Sequence, residues 1–315
     1  MMGHRPRHWL EYLTLRAMVA LLRLLPRPLA QGLLWLLARL AFSLLRFRRA
    51  ETLRRIREVY GTSLPLRRQR RIAWLSLRNT FFNALDLARF DRFDAAWMES
   101  HVANHAMTIA RLRELVAQHG SLVIALPHCG NWDLAGLAVS LAGLPIFSVA
   151  GQQRNRLVNA WLNGRRRQGI AIVTRGSAAL RQVIARLRRG EIFAILPDVR
   201  SRHPGLSVPF LGGTANLGRG LARFARTANA PILPVVVRRV GWSRHSFDLL
   251  APVMPDRAAP KEAELQRLTT QVMTALDHEI RKTPEQWFWY NRRWVLQPLE
   301  GGNATERAAQ ERPSP

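Results

Sequence analysis

Five short apolar runs place the tightest limit on what this chain can fold into. They fall at 121–126 (SLVIAL), 145–149 (PIFSV), 170–174 (IAIVT), 191–196 (EIFAIL) and 231–237 (PILPVVV). Helix-like stretches separate them, at about 133–142, 155–168, 177–189 and 216–229. This alternation predicts parallel strands joined by crossover helices, an α/β domain. The runs are apolar almost throughout, so the mostly parallel central sheet should be flanked by helices on both faces. A strand near 246–251 and a helix at 261–282 close the domain, and 62–120 reads as helical. In open sheets of this kind, ligand sites gather at the carboxyl ends of the strands.

Ahead of the sheet lies a Leu-, Ala- and Trp-rich segment. Pro26 and Pro28 split it into two helices, about 9–25 and 29–47. Arg16 and Arg23 share a face of the first, and Arg39 and Arg46 a face of the second, because seven residues make nearly two turns. Leu21, Leu22 and Leu25, then Leu33, Leu36, Leu37 and Leu40, occupy the opposite faces. No small-residue cleavage site follows, which argues against a secretory signal. Arginines recurring in apolar helices predict an amphipathic segment lying in a membrane interface rather than crossing it. The basic run Arg46, Arg48, Arg49, Arg54, Arg55 and Arg57 then reads as contact with anionic head groups. Three parts result: membrane-associating helices at 1–60, the α/β domain at 61–299, and a polar, disordered tail at 300–315.

The chain of 315 residues carries 48 basic and 21 acidic side chains, a net charge of +27. That balance predicts polyanionic company, either a lipid surface, an acidic protein or nucleic acid. A basic nucleic-acid-binding protein without enzymatic activity is the alternative class. It does not account for the leucine-rich start, and no RNP, KH or zinc-finger pattern is present, so no nucleic acid is expected. The single cysteine, Cys129, excludes an internal disulfide and a cysteine-based metal site, and no metal is expected.

The first apolar run ends in Pro127, His128, Cys129, Gly130, Asn131, Trp132 and Asp133. On one continuous helix His128 and Asp133 would point some 140° apart, by roughly 100° per residue. They can meet if His128 stands on the loop and Asp133 in the first helical turn, with Gly130 allowing the bend and Asn131 as N-cap. A histidine steadied by a carboxylate is a general-base design. With no G-x-S-x-G elbow, the group it activates would be an external hydroxyl. A His and an Asp that merely cap the helix are the simpler alternative. The backbone N–H groups of Gly130 and Asn131 are candidate oxyanion donors.

The HCGNWD motif, the start EYLTLRAMVALLRLLPRPLA, the segment QQRNRLVNAWLNGRRRQGI, the run GEIFAILPDVRSRHPGLSVPFLGG and the ending PEQWFWYNRRW occur in this order. Together they resemble the bacterial lipid A biosynthesis acyltransferase family, over roughly 8–298. The resemblance implies an O-acyltransferase at the cytoplasmic face of the bacterial inner membrane, peripheral or N-terminally anchored. His128 would deprotonate a hydroxyl of a lipid A precursor or related glycolipid or lysophospholipid, Asp133 would orient His128, and no acyl-enzyme would form. The donor would be an acyl carrier protein or coenzyme A thioester, used as a co-substrate with no cofactor. Arg154 and Asn155 after the second run, and Asp198 and Arg200 after the fourth, are the candidate substrate-binding residues. The family commonly shows Asp-Gln where this chain has Asp198 and Val199, which bears on the acceptor. The aromatic run Trp287, Phe288, Trp289 and Tyr290, set beside Arg292 and Arg293, suits a bilayer interface, a nucleic-acid stack or a buried core.

Overall fold

A computed structural model describes residues 6–151, 153–167, 169–174 and 178–297. The proposed tail at 300–315 lies outside them. Among the described residues, six α-helices precede the sheet: α1 (Pro6–Leu24), α2 (Arg27–Ser43), α3 (Arg49–Tyr60), α4 (Leu66–Ala88), α5 (Ala95–His101) and α6 (His105–His119). The sheet strands are β1 (Leu122–Ala125), β2 (Ile146–Ala150), β3 (Ala171–Thr174), β4 (Ile192–Ile195), β7 (Ile232–Arg239) and β8 (His245–Leu249). Between β4 and β7 comes a separate hairpin of β5 (Leu206–Phe210) and β6 (Gly213–Leu217). The helices α7 (Trp132–Leu141), α8 (Arg156–Arg166), α9 (Ala179–Arg188) and α10 (Gly220–Ala228) are the crossovers, and α11 (Lys261–Lys282) follows β8.

The sheet order is β3-β2-β4-β1-β7-β8. All neighbours run parallel except β7 and β8. The α/β class with a mostly parallel sheet is therefore as the sequence predicts, and β8 adds an antiparallel edge. Leu122, Val123, Ile124 and Ala125 of β1 are all buried. Val123 and Ala125 join the core that includes Leu221 of α10 and Leu268 of α11. Leu122 and Ile124 join the one built on Leu112 and Leu115 of α6. Helices on both faces explain why these strands lack polar alternation.

The β5–β6 hairpin departs from expectation, because its second strand occupies residues assigned to a loop and a helix starting at 216. Leu206, Val208 and Phe210 alternate with exposed neighbours, so one face is buried. Leu211 (φ 51) and Gly212 (φ 80) form the turn, both left-handed as a two-residue hairpin requires. Asp277 Oδ2 accepts from the Leu211 N–H at 3.2 Å, which helps hold a leucine in that conformation.

At the N-terminus the second helix begins at Arg27, with Pro28 inside its first turn where proline costs no hydrogen bond. Ala30 and Leu34 of α2 pack with Leu22 of α1 and with Phe82 and Leu85 of α4. Leu22, read as part of an outward face, is thus core, whereas Leu21, Leu36 and Leu40 are exposed. Other large apolar side chains are exposed along the same segment, among them Trp9, Leu10, Leu13, Leu44, Leu45 and Phe47. No described helix is long and apolar enough to cross a membrane. Two arginines of the basic segments are engaged within the protein. Arg23 pairs with Asp91 at 2.6 Å near the surface. Arg55 is buried and donates to the carbonyls of Trp289 and Asn291. The aromatic run settles as core, since Trp287, Trp289 and Trp294 are buried against one another and Tyr290 is buried with its ring stacked on Phe47.

Charged groups gather under α2. The fully buried Asp86 of α4 binds Arg239 of β7 at 2.6 Å and Arg27 of α2 at 2.8 Å. His245, also fully buried, lies 3.8 Å from the same carboxylate. Burial and then the Arg239 charge push the His245 pKa down from 6.5 to about 3. Between those values the unfolded chain takes up a proton that the folded chain refuses. The stability governed by His245 is thus whole above pH 6.5 and drains as the pH falls toward about 3, by roughly 1.4 kcal/mol per pH unit. Denaturant titrations at about pH 7 and about pH 5 should therefore show a shallower loss in His245→Gln than in wild type. Equal slopes would mean that His245 protonates inside the fold.

Candidate active site

Strand register builds the site. Ala125 of β1 pairs with Ile195 of β4, and three residues beyond each stand His128 and Asp198. Both loops leave the carboxyl ends of adjacent parallel strands, where their side chains converge. His128 Nδ1 lies 2.7 Å from Asp198 Oδ1, and the His128 backbone N–H donates to Oδ2 at 2.7 Å. The Trp287 indole N–H donates to the same oxygen at 2.8 Å. Asp198 is buried, while the His128 side chain keeps 23% exposure. Burial raises the Asp198 carboxyl, but His128 and these hydrogen bonds outweigh it and hold it below the usual aspartate range. A carboxylate on Nδ1 assigns that nitrogen the proton and leaves Nε2 as the base. The Trp132 ring stands edge-on to the imidazole, centroids 4.9 Å apart.

The structure thus pairs His128 with Asp198 where Asp133 is the expected partner. Asn131 caps α7, its Oδ1 accepting from Leu134 N–H at 3.1 Å, and Asp133 follows in the first turn. There its carboxylate is bound by Arg166 at 2.8 and 3.2 Å, a side-on pair joining α7 to α8. Burial opposes it, yet Asp133 lifts the Arg166 guanidinium above its ordinary pKa. His128, Asp133 and Arg166 all line one cavity of about 1050 Å³. Within the GRRRQG run nothing in the sequence distinguishes Arg166 from its neighbours.

Arg200 also lines that cavity and is buried at the loop after β4. Arg154 and Asn155 do not line it. Arg154 is exposed, and Asn155 is the N-cap of α8, its Oδ1 taking the Leu157 N–H and its Nδ2 donating to His8 O and Glu11 Oε2. Asn155 therefore ties α1 to α8. The oxyanion assignment also fails at Gly130, whose N–H donates to Gln286 O at 3.0 Å. Gly130 has φ +55, and an added Cβ would sit 2.4 Å from the Val237 carbonyl oxygen, so the loop bends there for packing. Asn131 is buried outside the cavity lining. Cys129 is buried beside Trp287, and burial lifts its thiol far above the ordinary value, which makes it a poor nucleophile.

The cavity has two characters. One end is apolar, formed by Leu112, Ile124, Val139, Ile146, Val235 and Leu249 between the sheet and α6–α7. The other carries Arg200, Arg202, His203 and Arg293. Its volume sits at the top of the range for small-molecule sites, about 300–1,000 Å³.

A partly exposed imidazole, the buried carboxylate that holds it, and a cavity lined partly by apolar side chains and partly by arginines thus stand together at the ends of β1 and β4. The chain belongs to the bacterial lipid A biosynthesis acyltransferase family, whose model matches residues 3–295. It is 24% identical over 192 residues to a phosphatidylinositol mannoside acyltransferase of Mycobacterium tuberculosis, covering 59% of this chain and 58% of that one. A lipid A biosynthesis acyltransferase of Haemophilus influenzae is 24% identical over 58% of this chain and 56% of its own. The lipid A biosynthesis palmitoleoyltransferase of Escherichia coli is 23% identical over 60% of each. The matched region spans under two thirds of these relatives' length.

Proposed function

We propose that this protein transfers a fatty acyl chain from a thioester to a hydroxyl of a membrane glycolipid, with His128 as general base and Asp198 as its partner. The carrying observation is the 2.7 Å bond between His128 Nδ1 and buried Asp198 beside the cavity. In this reading His128 Nε2 removes the acceptor's hydroxyl proton as the oxygen attacks the thioester carbonyl carbon. A tetrahedral intermediate forms, its C–S bond breaks, and the imidazolium returns the proton to the leaving thiolate. Asp198 stabilises the imidazolium and fixes the ring. No enzyme nucleophile is required, which suits a buried Cys129.

The apolar end of the cavity would take the acyl chain. Arg200, Arg202 and Arg293 suit phosphates of the donor, either an acyl carrier protein or coenzyme A, or of the acceptor. The relatives' names point to lipid A precursors and phosphatidylinositol mannosides as acceptor classes. Exposed Leu10, Leu13, Leu44 and Phe47, set among arginines, suit peripheral binding to anionic lipid, by this reading at the cytoplasmic face of the inner membrane.

One set of vesicles tests both parts. Anionic phospholipid vesicles carrying a lipid A precursor or a phosphatidylinositol mannoside are mixed with protein and labelled acyl-carrier-protein or coenzyme A thioesters. Label should appear as an ester on the glycolipid, and the protein should float with the vesicles. Absence of transfer from every donor to both acceptors would remove the catalytic reading. Protein left in the soluble fraction would remove the membrane one.

A further inference from the structure

Asp86 does more than neutralise its neighbours. Its Oδ1 accepts from Arg27 at 2.8 Å, and its Oδ2 accepts from Arg239 at 2.6 Å and from Asn131 Nδ2 at 2.9 Å. Asn131 is the residue whose other side-chain atom caps α7, three positions after His128. Arg239 Nη2 also binds Asn83 Oδ1 at 2.8 Å, and Asn83 Nδ2 in turn donates to the Gly130 carbonyl. One buried carboxylate therefore joins the first turn of α2 to the loop that carries His128. Asp86, Asn131 and Arg239 are each under 4% exposed, so water does not compete for the bonds of Asp86 to Asn131 and Arg239.

Arg27 reaches Asp86 from the helical pair whose other faces expose leucines and tryptophans. Its guanidinium lies over the rings of Phe93 and Trp97 and donates to Ser243 Oγ at 3.1 Å. Gln31, one turn on, donates to the Trp242 carbonyl at 2.8 Å, which also accepts from Arg239 Nη1 at 2.7 Å. Seating α2 thus supplies one of the two arginines that Asp86 holds. Removing Arg27 leaves Oδ1 of a buried carboxylate without its donor, and the carboxylate can then turn toward Arg239 and away from Asn131.

We propose that Asp86, Asn131 and Arg27 form a positioning relay, through which docking of α2 holds the His128 loop in its catalytic geometry. The proposal deepens the acyltransferase reading, in that it makes turnover depend on how the N-terminal helices are seated. Two variants separate positioning from general stability. Asn131→Ser keeps a capping oxygen for α7 and loses the donor to Asp86. Arg27→Ala removes the α2 contact, and Arg27→Lys restores its charge.

Hydrogen–deuterium exchange on the full chain reads the relay without any substrate. Arg27→Ala and Asn131→Ser should each speed exchange of amides 128–135 by about tenfold, with the β5–β6 hairpin unchanged. Arg27→Lys should recover part of the protection. In the vesicle assay both variants should lose turnover by about tenfold at unchanged KM, and the double variant should be no slower than the worse single one. Unaltered exchange at 128–135 in Arg27→Ala, or single effects that simply multiply in the double variant, would overturn the relay. Should wild type transfer no acyl chain, the acyltransferase reading falls and the exchange result alone decides the relay.

Discussion

Asp198→Asn is expected to lower turnover by about 10³-fold while KM stays within about twofold of wild type. An amide fills the same space, and its oxygen can still accept from the His128 backbone N–H and the Trp287 indole, so the fold should survive. It cannot balance the charge that appears on His128 when the imidazole takes a proton. The partner's contribution lies in the transition state, which is why kcat should carry the loss. His128→Ala should cost at least as much, and adding Asp198→Asn to it should cost little more, because the two side chains act as one unit. Asp133 and Arg166 should form a second unit, with Asp133→Asn and Arg166→Met likewise non-additive. Losses from His128→Ala and Asp198→Asn that multiply, measured as kcat in the vesicle assay, would show that they do not work together.

This pairing also marks what the sequence could and could not reveal. His128 stands out locally, directly after an apolar run and before a capped helix. Asp133 is its nearest carboxylate in sequence, and a local rule selects it. Asp198 lies 70 residues away, and its claim rests on β1 and β4 being neighbours in register. Strand order of that kind is not written in any single run. The sequence does place Asp198 and Arg200 at a strand's carboxyl end, so the right region was legible while the partnership was not. The hairpin is hidden in the sequence for a related reason. Gly213, Thr214 and Asn216 look like turn residues, and only pairing with Val208 and its neighbours makes them a strand. Asn155 and the Trp287–Tyr290 run misled in the opposite direction. Polar and aromatic residues next to arginines suggest ligand contact, yet here one caps a helix and the others fill the core. Arg55 adds the same lesson from the basic run, since its guanidinium finds three internal acceptors in Glu51, Trp289 and Asn291.

The proposed site for the acyl chain permits a prediction about length. Ala194 sits on β4 in register with Ile124 on one side and Ser148 on the other, at the centre of the sheet. It faces the α6 side and lines the cavity with Leu112 and Val139. No larger side chain stands there, so Ala194→Leu should intrude into the apolar end and shorten it. If the intrusion displaces two methylenes of a long acyl chain, about 0.8 kcal/mol each, kcat/KM for that donor should fall by about 15-fold. Donors two carbons shorter should lose little, which moves the optimum of the length profile rather than its height. The comparison across lengths matters because overpacking a sheet can also weaken the whole fold, by about 1–3 kcal/mol. A weakened fold would depress every donor in proportion. An unshifted optimum in Ala194→Leu, whether or not overall activity falls, would place the acyl chain elsewhere than between the sheet and α6.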